Sequence, residues 1–327
     1  MTKAADIHRL ALYAALVDAD LPAAWQATRA LLDEGVPFES IVSEALAPAQ
    51  REVGSRWAAN DTGIADEHAA TATMQQLITL LTASGQPTSD HLGEVVVACA
   101  EGDWHALAAQ VVAASLHMRG WRAVYLGPSI PAIDLSIFVA ERSPVAVALS
   151  CSHPRALIGA HHSIDAVRAL GTPVIIGGRA LGPNDTRARR LGANAWADSA
   201  QAAGDIIERG VPDLPPAREL PPAADRVAEV AGWVAEVAAR APDIGALPIP
   251  ASELARELRD TVGVFASSLL LEEPSLVGDY VEWQTAMLDT RGVTPQQLAT
   301  AIRAAAAHPA MPPGAGATLA EAAPSSL

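Results

Sequence analysis

The sequence is short of aromatic residues, of basic charge and of cysteine, and each shortage narrows what the chain can be. Aromatics make up 4% of 327 residues, while 50% of residues are apolar and alanine is abundant. That mixture favours helices packed through small side chains over a β-sandwich. Lysine and arginine number 22 against 37 acidic residues, a formal charge of -15, and no basic cluster could track a phosphate backbone. Direct nucleic-acid binding is therefore not expected. The two cysteines, Cys99 and Cys151, sit in separate apolar runs and make no disulfide framework, which fits a reducing cytoplasm. No long apolar run marks a membrane span, and Asp6, His8 and Arg9 interrupt the N-terminal stretch where a signal peptide would be apolar. The expectation is a cytoplasmic chain, off the membrane, long enough for two or three domains.

What is present falls into three segments. Residues 1–88 carry helical periodicity, with candidate helices at Ala4–Asp18, Pro22–Glu34, Pro37–Trp57 and Ile64–Ala83. Pro22 and Pro37 suit first-turn positions and Gly35 a stop, so a four-helix bundle is expected. A polar linker, Ser84–Gly93, follows. Over residues 93–210 continuous apolar runs recur at Glu94–Ala100, Ala123–Leu126, Val145–Leu149, Val174–Ile176 and Ala193–Ala197, separated by amphipathic segments near His105–Arg119, Pro131–Glu141, Leu157–Leu170 and Pro183–Leu191. Strands alternating with helices specify a five-stranded, doubly wound parallel sheet of flavodoxin-like type. The segment Val211–Pro222 holds five prolines and reads as a semi-rigid spacer. Residues 223–327 then form an all-helical domain, with helices at Ala223–Ala241, Ser252–Leu271, Pro274–Arg291 and Pro295–Ala307 and a frayed last twenty residues.

A doubly wound sheet binds its ligand beyond the carboxyl ends of the strands. There the sequence places Glu101-Gly-Asp103-Trp-His105 after the first strand, Ser150-Cys-Ser152 after the third and Gly177-Gly178 after the fourth. An imidazole on the first loop can ligate a metal while Asp103 sets its tautomer. Small residues at Ser150, Ser152, Gly177 and Gly178 leave a groove with exposed backbone. This pattern resembles the cobalamin-binding domain of methionine synthase and corrinoid proteins. The resemblance implies that His105 replaces the cofactor's own base as lower cobalt ligand, and that the displaced tail enters a slot beside the serines and glycines. Two positions depart from the pattern: Ala108 stands where glycine is usual, and Ser152 where leucine is.

In the bundle, Trp57 is followed by nine residues and then Glu67-His68. An aromatic wall suits adenine and ribose, and a carboxylate accepts hydrogen bonds from ribose hydroxyls. The spacing resembles the light-sensing cobalamin receptors of the CarH type. That likeness implies that Trp57 and Glu67 cover the upper face of adenosylcobalamin, with His68 as a neighbouring polar contact. The histidine that follows the tryptophan in that type is Ala58 here, and the N-terminal DNA-binding domain of those repressors is expected to be missing.

The order of cap, cobalamin domain and helical domain resembles the photocobilins, which hold cobalamin and a bilin. This implies biliverdin as a second chromophore, with Phe265, Tyr280 and Trp283 as walls and Arg256 and Arg259 for its propionates. The arginines also sit at the i,i+3 spacing of an ordinary solvated helix face. Having no cysteine, that domain would bind a bilin non-covalently. The combined expectation is a photoreceptor rather than an enzyme, signalling through self-association or an unidentified protein partner. The alternatives are a corrinoid carrier for methyl transfer and a light-independent cobalamin sensor.

Overall fold

The computed structural model describes residues 3–85, 92–213 and 219–324. It begins with α1 (Lys3–Val17) and α2 (Leu21–Asp33), the second capped by Asp20, whose carboxylate accepts the Ala23 amide at 3.0 Å. The helix expected over Pro37–Trp57 is instead broken into α3 (Phe38–Ile41), a π-helical turn (Val42–Leu46) and α4 (Ala47–Ala58). Pro48 supplies the reason: it cannot donate to the carbonyl four residues back, and its ring crowds that group, so the ladder slips by one residue just ahead of it. After α5 (Ile64–Ser84) the bundle closes on a core of Leu12, Leu16, Ile41, Met74, Leu77, Ile78 and Leu81, which Ala114 of the following unit completes.

That following unit is the expected sheet. Strands β1 (Glu94–Cys99), β2 (Arg122–Gly127), β3 (Ala146–Ser150), β4 (Val174–Gly177) and β5 (Ala195–Ala197) are all parallel, in the order β2-β1-β3-β4-β5. The connecting helices are α6 (Ala106–Met118), α7 (Ala132–Arg142), α8 (Leu157–Arg168) and α9 (Thr186–Leu191). A further helix, α10 (Ala200–Arg209), was not expected, although Ser199 capping the Ala202 amide and Gly210 at the stop are visible in the sequence. Arg119 at the end of α6 fastens three elements together, reaching Glu39 of α3 and both Asp205 and Glu208 of α10.

Beyond the proline-rich spacer, of which residues 214–218 lie outside the described residues, come α11 (Pro222–Ala238), α12 (Ala251–Leu271), α13 (Ser275–Asp289) and α14 (Pro295–Ala306). Of the tail expected to fray, residues 325–327 lie outside the described residues, and the rest does not fray: α15 (Ala315–Glu321) packs back with Leu319 fully buried, and Met311 and Ala315 nearly so. Three apolar side chains at helical spacing gain more from burial than the short turn loses in chain freedom. These helices do not form a core of their own. Leu254, Leu258, Val262 and Phe265 of α12 belong to one continuous apolar cluster with Val96, Leu149, Leu157 and Ile176 of the sheet unit. Among the described residues no helix is long and apolar enough to cross a membrane.

Candidate functional site

The loop after β1 is a tight turn held from two sides. Gly102 takes a left-handed conformation at φ 82, its amide donates to Ser129 Oγ at 3.1 Å, and the Ser129 amide donates to the Asp103 carbonyl at 2.9 Å. Asp103 is completely buried. One oxygen accepts the His105 amide at 3.0 Å and lies 2.8 Å from His105 Nδ1; the other accepts the Ser152 amide. Burial alone pushes this carboxyl upward, but the His105 ring and the two amides outweigh it and hold it below the usual carboxylate range. The Asp103 carboxylate requires a proton on Nδ1 of His105, which leaves the Nε2 lone pair outward on a ring that is 54% exposed. His105 is thus an imidazole whose tautomer and open nitrogen are set in advance by its neighbour.

The ends of β3 and β4 lie beside it, Ser150 paired with Gly177 and Ser152 bonded to Asp103. Ser150 is buried at the end of β3, and its hydroxyl finds no hydrogen-bond partner. A buried orphan of this kind at a strand end is what a polar ligand group would satisfy. Gly178 has φ 109, and a Cβ there would stand 2.3 Å from the Cys151 carbonyl; one on Gly177 would stand 2.6 Å from that of Ala197. Both glycines are therefore required by close backbone approach. Ser152 acts through its amide on Asp103, so the serine side chain in place of leucine leaves that link intact. Burial raises the Cys99 thiol to about 12 and Cys151 well above its ordinary value, so neither offers a thiolate.

Among the described residues no group of three or more His, Cys, Asp or Glu could hold a bare metal ion. A metal on His105 could draw its remaining donors from a macrocycle that carries it. A corrin does so, and its amphipathic body fits the apolar surroundings: Trp104, beside His105, is 67% exposed, and Ile64 at the start of α5 is 54% exposed. The residues present fit cobalamin. The cavity of about 470 Å³ lies elsewhere, along β5, between Asn184, Asp185, Ala188 and Trp196.

Helix α5 carries the cap residues past the sheet edge. It runs parallel to α6, with Gln110 bonded to Gln75 and Thr79 and Met118 against Gly85. Extending that register sets Glu67 about five residues beyond the level of His105, roughly 7–8 Å at the helical rise. Glu67 is held there: Thr71 donates to it at 2.8 Å, and Gln50 of α4 donates to Thr71 at 2.6 Å. His68, its ring mostly exposed, lies 2.8 Å from the other Glu67 oxygen. Trp57 ends α4 next to this turn. Its indole lies 5.1 Å from the Arg291 guanidinium, which also donates to the Trp57 carbonyl at 3.2 Å.

Several participants escaped the sequence reading. His153 follows β3, and its ring is stacked on His105 with centroids 5.9 Å apart and planes at 11°. Arg155, in the short 3-10 turn Pro154–Ala156, pairs with Asp260 of α12 at 3.2 Å and donates to the Gly102 carbonyl at 3.1 Å. Tyr280 meets the edge of His153 at 5.5 Å and Trp283 at 5.6 Å. The topological rule that picked out Ser150 could have picked out His153 as well; the partners from α12 and α13 leave no local trace.

Of the five residues offered for a bilin, Tyr280 and Trp283 lie side by side and face the His153 loop; Phe265 is fully buried in the core; Arg259 lies 3.9 Å from Glu236 of α11; and Arg256 is exposed. Helical spacing placed the two arginines together without saying which neighbour each would meet.

Comparison with known proteins bears on this geometry. Residues 9–82 and residues 93–203 match two families, each described as B12 binding domain. The HTH-type transcriptional repressor CarH of Myxococcus xanthus is 29% identical over 173 residues, covering 51% of this chain and 57% of the repressor. The chain therefore spans little more than half of that relative's length. The monomethylamine corrinoid protein of Methanosarcina barkeri superimposes with a TM-score of 0.51 at 20% identity, covering 61% of this chain and 95% of that protein. It establishes the fold of the first two units. A cobalamin-binding protein from Desulfitobacterium hafniense is 23% identical, with a TM-score of 0.34 over 61% of this chain and 96% of its own.

Proposed function

We propose that this cobalamin-binding chain is a light sensor that holds adenosylcobalamin between His105 and the Trp57–Glu67 cap. The observation that carries the reading is the cap register. The register of α5 on α6 carries Glu67 beyond the level of His105, and Gln50 of α4, seven residues before Trp57, is bonded to Thr71 one turn from Glu67. Adenosylcobalamin, when bound, supplies a cobalt–carbon bond that light can break. His105 would hold the cobalt through Nε2, with Asp103 keeping its tautomer. Trp57 would offer a flat apolar surface to an adenosyl group and Glu67 would accept hydrogen bonds from its ribose, contacts that the cap would lose without that group. Trp57 is tied to Arg291, and Asn60 donates to the Thr290 carbonyl at 3.3 Å, so a shift of the cap is felt at the end of α13. The signal would be this rearrangement of a bistable interface, passed on through self-association or a protein partner.

Biliverdin as a second chromophore is supported by the order of the three units and by the Tyr280–Trp283 pair, and not by Phe265, which is fully buried in the core. The corrinoid-carrier reading shares His105 and the bundle and is favoured by the fold likeness to a corrinoid protein; the cap spacing speaks against it. The deciding experiment is the absorption spectrum of purified protein loaded with adenosylcobalamin in the dark, before and after green light. A spectral change to a stable cobalt(III) product supports the sensor. An unchanged spectrum under light that photolyses the free cofactor removes it.

A further inference from the structure

His105 is fixed at one corner and not, by that contact, in its plane. The Asp103 carboxylate holds Nδ1, and the ring can still tilt about that bond. Cobalt binds along the Nε2 lone pair, which lies in the plane of the imidazole, so tilt governs how well the bond forms. A second imidazole lies alongside that plane: His153 is parallel to His105 at 11° and 5.9 Å.

His153 is itself gripped from every side. Its Nδ1 accepts the Arg155 amide at 3.2 Å, Nε2 lies 3.8 Å from Asp260 Oδ2 of α12, and the Tyr280 ring of α13 closes against it at 5.5 Å. Two of these three contacts come from the C-terminal helices. It is thus a flat ring held from both loops and helices beside His105.

We propose that His153 is a positioning residue for His105, and that through it Asp260 and Tyr280 of the C-terminal helices set the strength of the histidine–cobalt bond. The inference rests on the reading of His105 as the lower ligand. It gives the C-terminal helices a direct hold on the cofactor's lower face, separate from their contact with the cap at Trp57.

The test uses the full-length protein loaded with cyanocobalamin and titrated with cyanide. Added cyanide replaces Nε2 on cobalt, His105 leaves as a neutral imidazole, and the dicyano form is read by its absorption. The variants are His153→Ala, His153→Phe and Tyr280→Leu, the last loosening the grip without altering either imidazole. Loss of one aromatic contact should lower the half-point cyanide concentration about two- to tenfold in His153→Ala. Tyr280→Leu should shift it in the same direction, and His153→Phe, which restores a flat ring, should return it towards the parent value. Reduction of the same samples to cobalt(II) reports the ligand independently, through nitrogen superhyperfine splitting in the paramagnetic resonance spectrum. A parent protein that shows the splitting, with half-points unchanged in His153→Ala and Tyr280→Leu, overturns the proposal alone. A parent without the splitting removes the assignment of His105 and the proposal with it. Should His153→Ala fail to load cobalamin, Tyr280→Leu decides.

Discussion

Asp103 serves three donors with two oxygens, and the whole candidate site hangs on that economy. It fixes the His105 backbone, the His105 ring and the start of the β3 loop at once. His105→Ala should change the visible spectrum of bound cobalamin and weaken its retention; full loading with an unaltered spectrum would mean that another group holds the lower face. Asp103→Leu should cost more than its single bond to the ring suggests, because a buried acceptor leaves two amides unpaired. Gly178→Ala is a test of backbone geometry rather than chemistry. Its φ of 109 and the approach of the Cys151 carbonyl together should destabilise the fold by about 2–4 kcal/mol in a denaturant titration.

At the scale of elements, α5 and α12 carry the interpretable contacts. Replacing Trp57 or Glu67 with alanine should reduce the preference for adenosylcobalamin over methylcobalamin, measured by competition; a preference that survives both changes returns the reading to a carrier. Helix α12 holds Glu257 and Asp260 in the seam. Burial, and then the neighbouring Asp260, raise the Glu257 carboxyl above the ordinary range. A raised carboxylate binds its proton more tightly in the folded chain than in the unfolded one. Its stabilising contribution is therefore complete below the unfolded value and lost as pH rises through the folded one. Glu257→Gln, which keeps a polar group beside Gln284, should make the apo protein more stable than the parent at pH 7. The difference in midpoint should shrink as pH falls through the ordinary glutamate range. A difference that grows on acidification would show that the parent carboxylate is stabilised as the anion.

For the whole molecule, the continuous core between the sheet and the C-terminal helices matters most. Leu319→Ala, far from any ligand, should lower stability by about 2–5 kcal/mol, as a buried leucine does and an end-of-chain residue in solvent does not. A core shared in this way lets a change at the cap or at His105 reach residues near the end of the chain. If light acts through the cap, sedimentation and small-angle scattering of the adenosylcobalamin form should differ between dark and illuminated samples. Identical profiles after completed photolysis would remove that route. Co-expression with a biliverdin source should give a far-red band that leaves the polypeptide on acid-denaturing extraction; its absence would leave the C-terminal helices as partners of the cobalamin site alone.

The sequence by itself determined the period-driven features. Apolar runs such as Glu94–Ala100 suit strands buried on both faces, and strands alternating with helices favour a parallel sheet, at whose carboxyl edge the loops bearing His105, Ser150 and Gly177 meet. Local chemistry was legible too: Asp103 two residues from His105 is a contact the chain cannot avoid making. Tertiary structure alone decided the rest. Pairing His153 with His105 depends on how two loops from different strands settle, and enclosing it with Asp260 and Tyr280 spans more than a hundred residues. The same holds for Arg291 on Trp57 and for the burial of Leu319. Periodicity reports which face of a helix is apolar and never which neighbour covers it, because that choice is made by packing over the whole molecule.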